Sequence, residues 1–472
     1  MKKVSLLFIV FLLLSLQNAY SKGYNLDVTI TNAHDSMLLM ARYVGGSTYA
    51  CDSAYMNKKG VAVFSNEKEL EAGVYIIAME GTQLFDFIIS DEKNQQFSII
   101  TKKGDFVNSL HFKNSPENEE FANFNRYMII QQKREEALKE KVVRNSSNIN
   151  LLNEAEEEER LIKKEYHKYV EEIGKKFPQS LLYSLAKAMD RPIIPKFDID
   201  RNNPKYDSIY AMQYYKFVKT HFFDNYTFSD KRLVNTPMFV PSLNYYFDKI
   251  IIQFSDSIIH SVDNILTKTE ASVSMQKYIA AHLFNKYIHS NVMGMESIVV
   301  HLIDNYYLND KIGGIDSIFR ADISRFAQQN RVTLIGKQAY DLKMETLGGQ
   351  YESVYSIDAP YMVVYIYEPS CGHCRTETPK LYNIYKKYQD KGLQVYAIYS
   401  QQNKKEWMEY VAKNGLDWIN VWDPNNENNF RYKYSVYSTP QVFLLDSNKK
   451  IIGRRLDSEG LDKLIENLFK NK

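Results

Sequence analysis

Tyr361-Met-Val-Val-Tyr-Ile-Tyr367, followed after Glu368-Pro-Ser370 by Cys371-Gly-His-Cys374, decides the fold of the C-terminal part of this chain. An apolar run of this length, bounded by a Pro-Ser turn, reads as a buried strand, and the polar-apolar periodicity after it reads as a helix. The first thiol therefore falls where a helix begins. Backbone N–H groups and the positive end of the helix dipole favour its thiolate, the nucleophile in disulfide exchange. Cys374, one turn inside, is placed to close a small disulfide ring with Cys371 and to open it again.

The pattern around this stretch alternates strand and helix from about residue 331. Tyr361–Tyr367, Leu393–Tyr399, Trp418–Val421, Val442–Asp446 and Lys450–Leu456 read as strands. Helical segments are expected over His373–Lys391, Lys404–Asn414 and Ser458–Lys470. Two strands flanking a helix in the βαβ manner point to an α/β fold. Upstream, the segments Leu26–Ile30, Met37–Tyr43, Val61–Phe64, Val74–Ala78, Phe85–Ile89 and Gln96–Ile100 are short and apolar or β-branched, with glycine turns between them. They predict a small antiparallel β-sandwich. From about Pro116 to Asn330 helical periodicity and charged faces take over, which predicts an all-α middle.

The expected organisation is thus a signal peptide (1–21), a β-sandwich-like domain (22–115), a helical domain (116–330) and the α/β domain (331–472). The address is read from Met1-Lys2-Lys3, a largely apolar run Val4–Leu16 and the small residues of Ala19-Tyr-Ser21. Thirteen residues fall short of the roughly 20 needed to span a bilayer as a helix. A soluble, periplasmic protein with no membrane span after signal cleavage is the expectation.

Composition narrows the classes further. The chain has 472 residues, 44% hydrophobic and 25% charged, with a net charge of +2, so neither a nucleic-acid nor a membrane-surface footprint is indicated. Its 36 tyrosines are spread through every region and read as core and rim residues. Only three cysteines occur, Cys51, Cys371 and Cys374. A secreted domain stapled for stability carries more of them, so the close pair reads as working chemistry and Cys51 as a buried, inert thiol. A zinc site would need two further ligands, a c-type haem attachment would need His where Arg375 stands, and no cofactor or metal is expected. A peroxidatic site would want Thr at Glu368.

Taken together, these positions resemble the thioredoxin-like proteins, and among them the exported TlpA-type thiol–disulfide oxidoreductases. Pro379 lies eight residues after Cys371, Glu377-Thr-Pro379 resembles the E-x-P that follows the family's motif, and Ser438-Thr-Pro-Gln441 precedes a strand as the family's cis-proline loop does. Ala41–Thr48 with Asp52-Ser53, and His221–Asp230, resemble the β and helical domains that precede such modules in Bacteroidota. The resemblance implies Cys371 as nucleophile, Cys374 as resolving thiol, Thr439 and Pro440 as the substrate-binding loop, protein thiols and disulfides as partners, and an upstream membrane or periplasmic redox partner.

Three departures bear on mechanism. Ser370 stands where thioredoxins often have Trp, and Tyr365 where they bury an Asp that assists proton transfer. Glu377 and Glu368, the nearest carboxylates in sequence, are then the candidates for that task. Gly372-His373 is the dipeptide of protein disulfide isomerase, poised near about −180 mV against about −270 mV for thioredoxin. That gap of ~90 mV is about 4 kcal/mol and can reverse net direction. Reductase and isomerase both stay open, as does a client-binding or scaffold protein whose thioredoxin module turns over little.

Overall fold

The computed structural model describes residues 23–91, 95–144 and 149–470. The expected signal peptide lies outside them. Two compact units are present. One comprises the described residues up to Ile252 with Lys268–Met275, and the other Gln253–Thr267 with Gln276 onward. The helical stretch expected over 116–330 is thus divided between them.

The first unit begins with eight strands: β1 (Tyr24–Thr31), β2 (Met37–Val44), β3 (Ser47–Tyr55), β4 (Val61–Asn66), β5 (Gly73–Met79), β6 (Thr82–Ile89), β7 (Gln96–Lys102) and β8 (His111–Lys113). They form two four-stranded sheets, ordered β4-β1-β7-β8 and β3-β2-β5-β6. Alternate residues of β1 (Leu26, Val28 and Ile30) share one core with Leu38, Met40, Tyr75, Ile77 and Phe87 of the other sheet. That follows from the two-residue side-chain period of a strand. The expected all-antiparallel arrangement is corrected at one place, because β1 and β7 run parallel, Leu26 opposite Phe97 and Val28 opposite Ile99. The sequence between them also supplies the whole second sheet, so no tight hairpin joins the pair.

The helix Pro116–Arg144 docks on this region through a buried amide. Asn118 accepts a hydrogen bond from the Ile88 N–H at 2.7 Å and donates to the Ile88 carbonyl at 2.8 Å. The side chain satisfies a backbone edge of β6 that no further strand covers. Ile149–Lys176 and Leu181–Met189 follow, the latter capped by Ser180, whose hydroxyl accepts from the Tyr183 N–H.

The second unit carries the helices Glu296–Leu302 and Ser317–Arg331 and then a seven-stranded sheet. Its strands are β9 (Lys343–Thr346), β10 (Tyr351–Ser353), β11 (Tyr361–Tyr367), β12 (Leu393–Tyr399), β13 (Ile419–Trp422), β14 (Gln441–Asp446) and β15 (Ile451–Arg454), in the order β10-β9-β13-β12-β11-β14-β15. β11 is central, parallel to β12 and antiparallel to β14, and every one of its residues is buried. Its odd positions Val363, Tyr365 and Tyr367 pack with Leu381, Trp407 and Leu461 from the helices Gly372–Tyr388, Lys404–Asn414 and Ser458–Lys470. Its even positions Met362, Val364 and Ile366 pack on the other face with Leu342, Phe430 and Tyr434. Burial on both faces explains why this strand reads as a continuous apolar run.

Candidate active site

The helix Gly372–Tyr388 starts directly beyond the end of β11, with Cys371 as its N-cap in extended backbone geometry. Cys371 Sγ accepts the N–H of Cys374 at 3.3 Å, the role an N-cap oxygen ordinarily fills. The same sulfur lies 3.3 Å from the carbonyl oxygen of Thr439, to which its S–H donates. Thr439–Pro440 is a cis peptide bond. Two segments some seventy residues apart in sequence therefore meet at one sulfur.

The two thiols differ in access and acidity. Cys371 is half-buried and Cys374 fully buried, and neither is in a disulfide. Burial pushes the Cys374 thiol up from the ordinary 9.0 to about 12. At Cys371 burial also acts upward, but hydrogen bonds from the Cys374 side chain and backbone, the Thr439 side chain and the His373 backbone outweigh it and hold the thiol below its ordinary value. Gly372 and His373 are exposed beside it.

Beneath Cys374 lies a cluster of hydroxyls. The Tyr365 phenol and the Thr378 hydroxyl are hydrogen-bonded at 2.8 Å, both fully buried. Tyr365 stacks on Tyr367 with ring centroids 5.1 Å apart, and Tyr410 lies 5.7 Å from Tyr367. Burial drives the Tyr365 and Tyr367 phenols well above their ordinary values, so both stay neutral at any physiological pH. Thr378, one turn after Cys374, was recognisable in sequence only by that four-residue spacing.

The two candidate carboxylates are engaged elsewhere. Glu377 accepts from Lys380 at 2.7 Å and from the hydroxyl and N–H of Ser458 at 2.6 and 3.1 Å. Its partial burial acts upward, yet these bonds together hold the carboxyl below its ordinary value. Glu368 is half-buried and accepts a hydrogen bond from Gln401. Cys51 lies on the edge strand β3 as an exposed residue, contrary to the expected burial. It is the extra residue of a β-bulge, passed over where Met40 lies opposite Asp52 and Ala41 opposite Ala50, at the end of the exposed stretch 47–51. Its sulfur is tucked back, donating to the Met40 carbonyl at 3.3 Å, and burial of the thiol pushes it to about 11.

A cleft of about 560 Å³ opens beside the redox pair, lined among others by His373, Glu377, Pro440, Arg455 and Ser458. Among the described residues no group of three or more His, Cys, Asp or Glu is arranged to hold a metal ion. No helix among them is long and apolar enough to cross a membrane.

Residues 335–454, which span this sheet and both cysteines, match the AhpC/TSA family. This segment is a thioredoxin-like oxidoreductase domain. Residues 208–330, ahead of the thioredoxin-like domain, match a domain of unknown function, DUF5106. A domain of a possible thiol-disulfide isomerase from Cytophaga hutchinsonii is 37% identical over 29% of this chain and 97% of its own, with a TM-score of 0.28. A thiol:disulfide interchange protein from Bacteroides sp. is 23% identical over 29% of this chain and 90% of its own, with a TM-score of 0.28. A thioredoxin-like protein from Bacteroides caccae reaches further, over 59% of this chain and 97% of its own, at 18% identity and a TM-score of 0.43. No curated protein matches this chain.

Proposed function

We propose that this protein is an exported, periplasmic thiol–disulfide oxidoreductase of the TlpA type that exchanges disulfides with protein clients through Cys371 and Cys374. The observation that carries the reading is the asymmetry of the pair. Cys371 is accessible and held below the ordinary thiol value, while Cys374 is buried and pushed to about 12. Export rests on the first 21 residues of the sequence alone.

In the reducing direction, the Cys371 thiolate attacks one sulfur of a client disulfide. The client S–S bond breaks, a mixed disulfide forms and the other client sulfur leaves as a thiolate. Cys374 then loses its proton and attacks the Cys371 sulfur. The ring disulfide forms, the mixed disulfide breaks, and the second client thiolate takes up a proton as it leaves. A dithiol donor, the expected membrane or periplasmic redox partner, must then return two electrons and two protons to the pair. Oxidation or isomerisation uses the same steps in reverse or in part. The Gly372-His373 dipeptide and the family context pull in opposite directions, and the potential measured against glutathione assigns the direction. A value near about −180 mV makes the protein an oxidase or isomerase, and one below about −250 mV a reductase.

Thr439 and Pro440 form the client-binding loop in this reading, since the Thr439 carbonyl lies at the attacking sulfur. A backbone edge there binds an extended client segment with little regard to its sequence. Attack without resolution provides the test. The Cys374→Ser variant should accumulate mixed disulfides with clients, visible on non-reducing gels and released by dithiothreitol. Absence of any trapped species, with the variant folded, would count against the mechanism.

A further inference from the structure

The end of the DUF5106 segment makes contacts that the redox chemistry does not use, and they converge on the cleft beside Cys371. The helix Ser317–Arg331 presents Gln329 and Asn330 at its last turn. The Ser435 hydroxyl donates to the Gln329 carbonyl, on the approach to the Thr439–Pro440 loop. Arg454 and Arg455, at the end of β15, both donate to the single side-chain oxygen of Asn330, at 3.1 and 3.0 Å. Asn330 itself is almost fully buried and donates to the Phe326 carbonyl at 2.9 Å, so its amide is fixed in orientation.

Two further features show that these contacts hold a defined shape. Ser435 and Arg455 are both non-glycine residues in left-handed backbone, with φ of +52° and +53°. Non-glycine residues adopt such geometry uncommonly, and it persists where the surroundings impose it. Both residues are fastened to the same helix turn. Arg454, 3% exposed, also pairs with Glu296 at 3.1 Å, so a second helix of the segment is tied to the same strand end. Arg331 pairs with Asp304 at 2.6 Å and anchors the helix end in turn.

We infer that the C-terminal helices of the DUF5106 segment are a positioning element of the redox site, in which Gln329 and Asn330 hold Ser435 and Arg455, two residues that line the client cleft together with Pro440. Asn330 is a positioning residue that touches neither sulfur. It acts on how a macromolecular client is held, and it leaves the acidity of Cys371 alone. A small disulfide that reaches Cys371 without filling the cleft has no use for it. This inference rests on the oxidoreductase reading and gives a role in that activity to a domain of unknown function.

The test uses the full chain, with insulin as the macromolecular disulfide and 5,5′-dithiobis(2-nitrobenzoate) as the small one. Asn330→Ala should raise KM for insulin by about tenfold, one 1.4 kcal/mol step. Its rate with the small disulfide and the pH profile of Cys371 alkylation should stay at wild-type values. Asn330→Asp, which keeps an acceptor for both guanidinium groups but loses the bond to the Phe326 carbonyl, should recover most of the insulin KM. If Asn330→Ala does not fold, Ser435→Gly keeps the left-handed backbone, removes the bond to Gln329 and carries the same expectation. An insulin KM within about twofold of wild type, or equal loss with both disulfides, overturns the inference. Wild-type protein inactive toward both disulfides would instead bring down the oxidoreductase reading, and this inference with it.

Discussion

At Cys371 a sulfur takes the place of an N-cap oxygen, and the thiolate form gains most from that position because it accepts without donating. The Cys374 N–H and the helix dipole both act on it there. Alkylation by iodoacetamide should therefore rise with pH around a midpoint below the ordinary 9.0, with Cys371 modified first. Cys374 should stay unmodified until the pH approaches about 12. Mass spectrometry of the labelled peptide across a pH series measures both. The signs for stability are opposite at the two thiols. The raised value of Cys374 stabilises the fold below about 9 and that contribution is lost as the pH rises toward about 12. The lowered value of Cys371 contributes above the unfolded value and is lost as pH falls through the folded one.

Between residue and domain, β11 and the helix Gly372–Tyr388 are joined under the redox pair by the Tyr365–Thr378 hydrogen bond. Thr378→Val removes the partner that structure gives to a buried phenol, and should cost about 1–3 kcal/mol. Tyr365→Phe should cost less, about 1 kcal/mol, because a hydroxyl on a helix can turn to its own backbone. The double substitution should cost less than the sum, since the second change removes a group already stranded. Urea denaturation of the four proteins measures the cycle. These are also the elements that show what a sequence discloses. β11 and β12 stand out because burial on both faces demands a long apolar run, and the active-site helix because a thiol pair and a proline punctuate it. β9 and β10 are four and three residues long and carry charged positions, so no period could form. β8, three residues long, forms no period either, and β1 pairs in parallel with β7 through partners 71 residues on. At the candidate site, the spacing marks Cys371 and Cys374 and the family resemblance marks Thr439 and Pro440, and the structure brings the Cys371 sulfur to the Thr439 carbonyl. Thr378 shows only as a four-residue step from Cys374, and Asn330 and Arg455 not at all, because they act through contacts more than a hundred residues apart in sequence.

At the scale of the whole molecule, the helical stretch does not behave as one piece, and its later helices belong with the thioredoxin-like sheet. A buried ion pair marks that membership. Arg454 and Glu296 meet at 3.1 Å, 3% and 14% exposed, without the alignment of a hydrogen bond. Burial lowers the Arg454 guanidinium to about 10, with Glu296 acting against that trend. Glu296→Gln should therefore destabilise the second unit by about 3–5 kcal/mol, because it leaves a buried charge without its counter-charge. Replacing both residues by apolar ones of similar size should recover much of the loss. Thermal melting of the two variants decides between them, and an unshifted midpoint for Glu296→Gln would show that water reaches the pair.

The central claim is that Cys371 and Cys374 exchange disulfides with proteins. Reduction of insulin disulfides by dithiothreitol, followed by turbidity, compares the wild-type chain with Cys371→Ser at equal concentration. Acceleration by the wild type and none by Cys371→Ser is the predicted result. Equal rates for the two proteins, both folded, would contradict the account and leave a thioredoxin-like module that holds clients without turning them over.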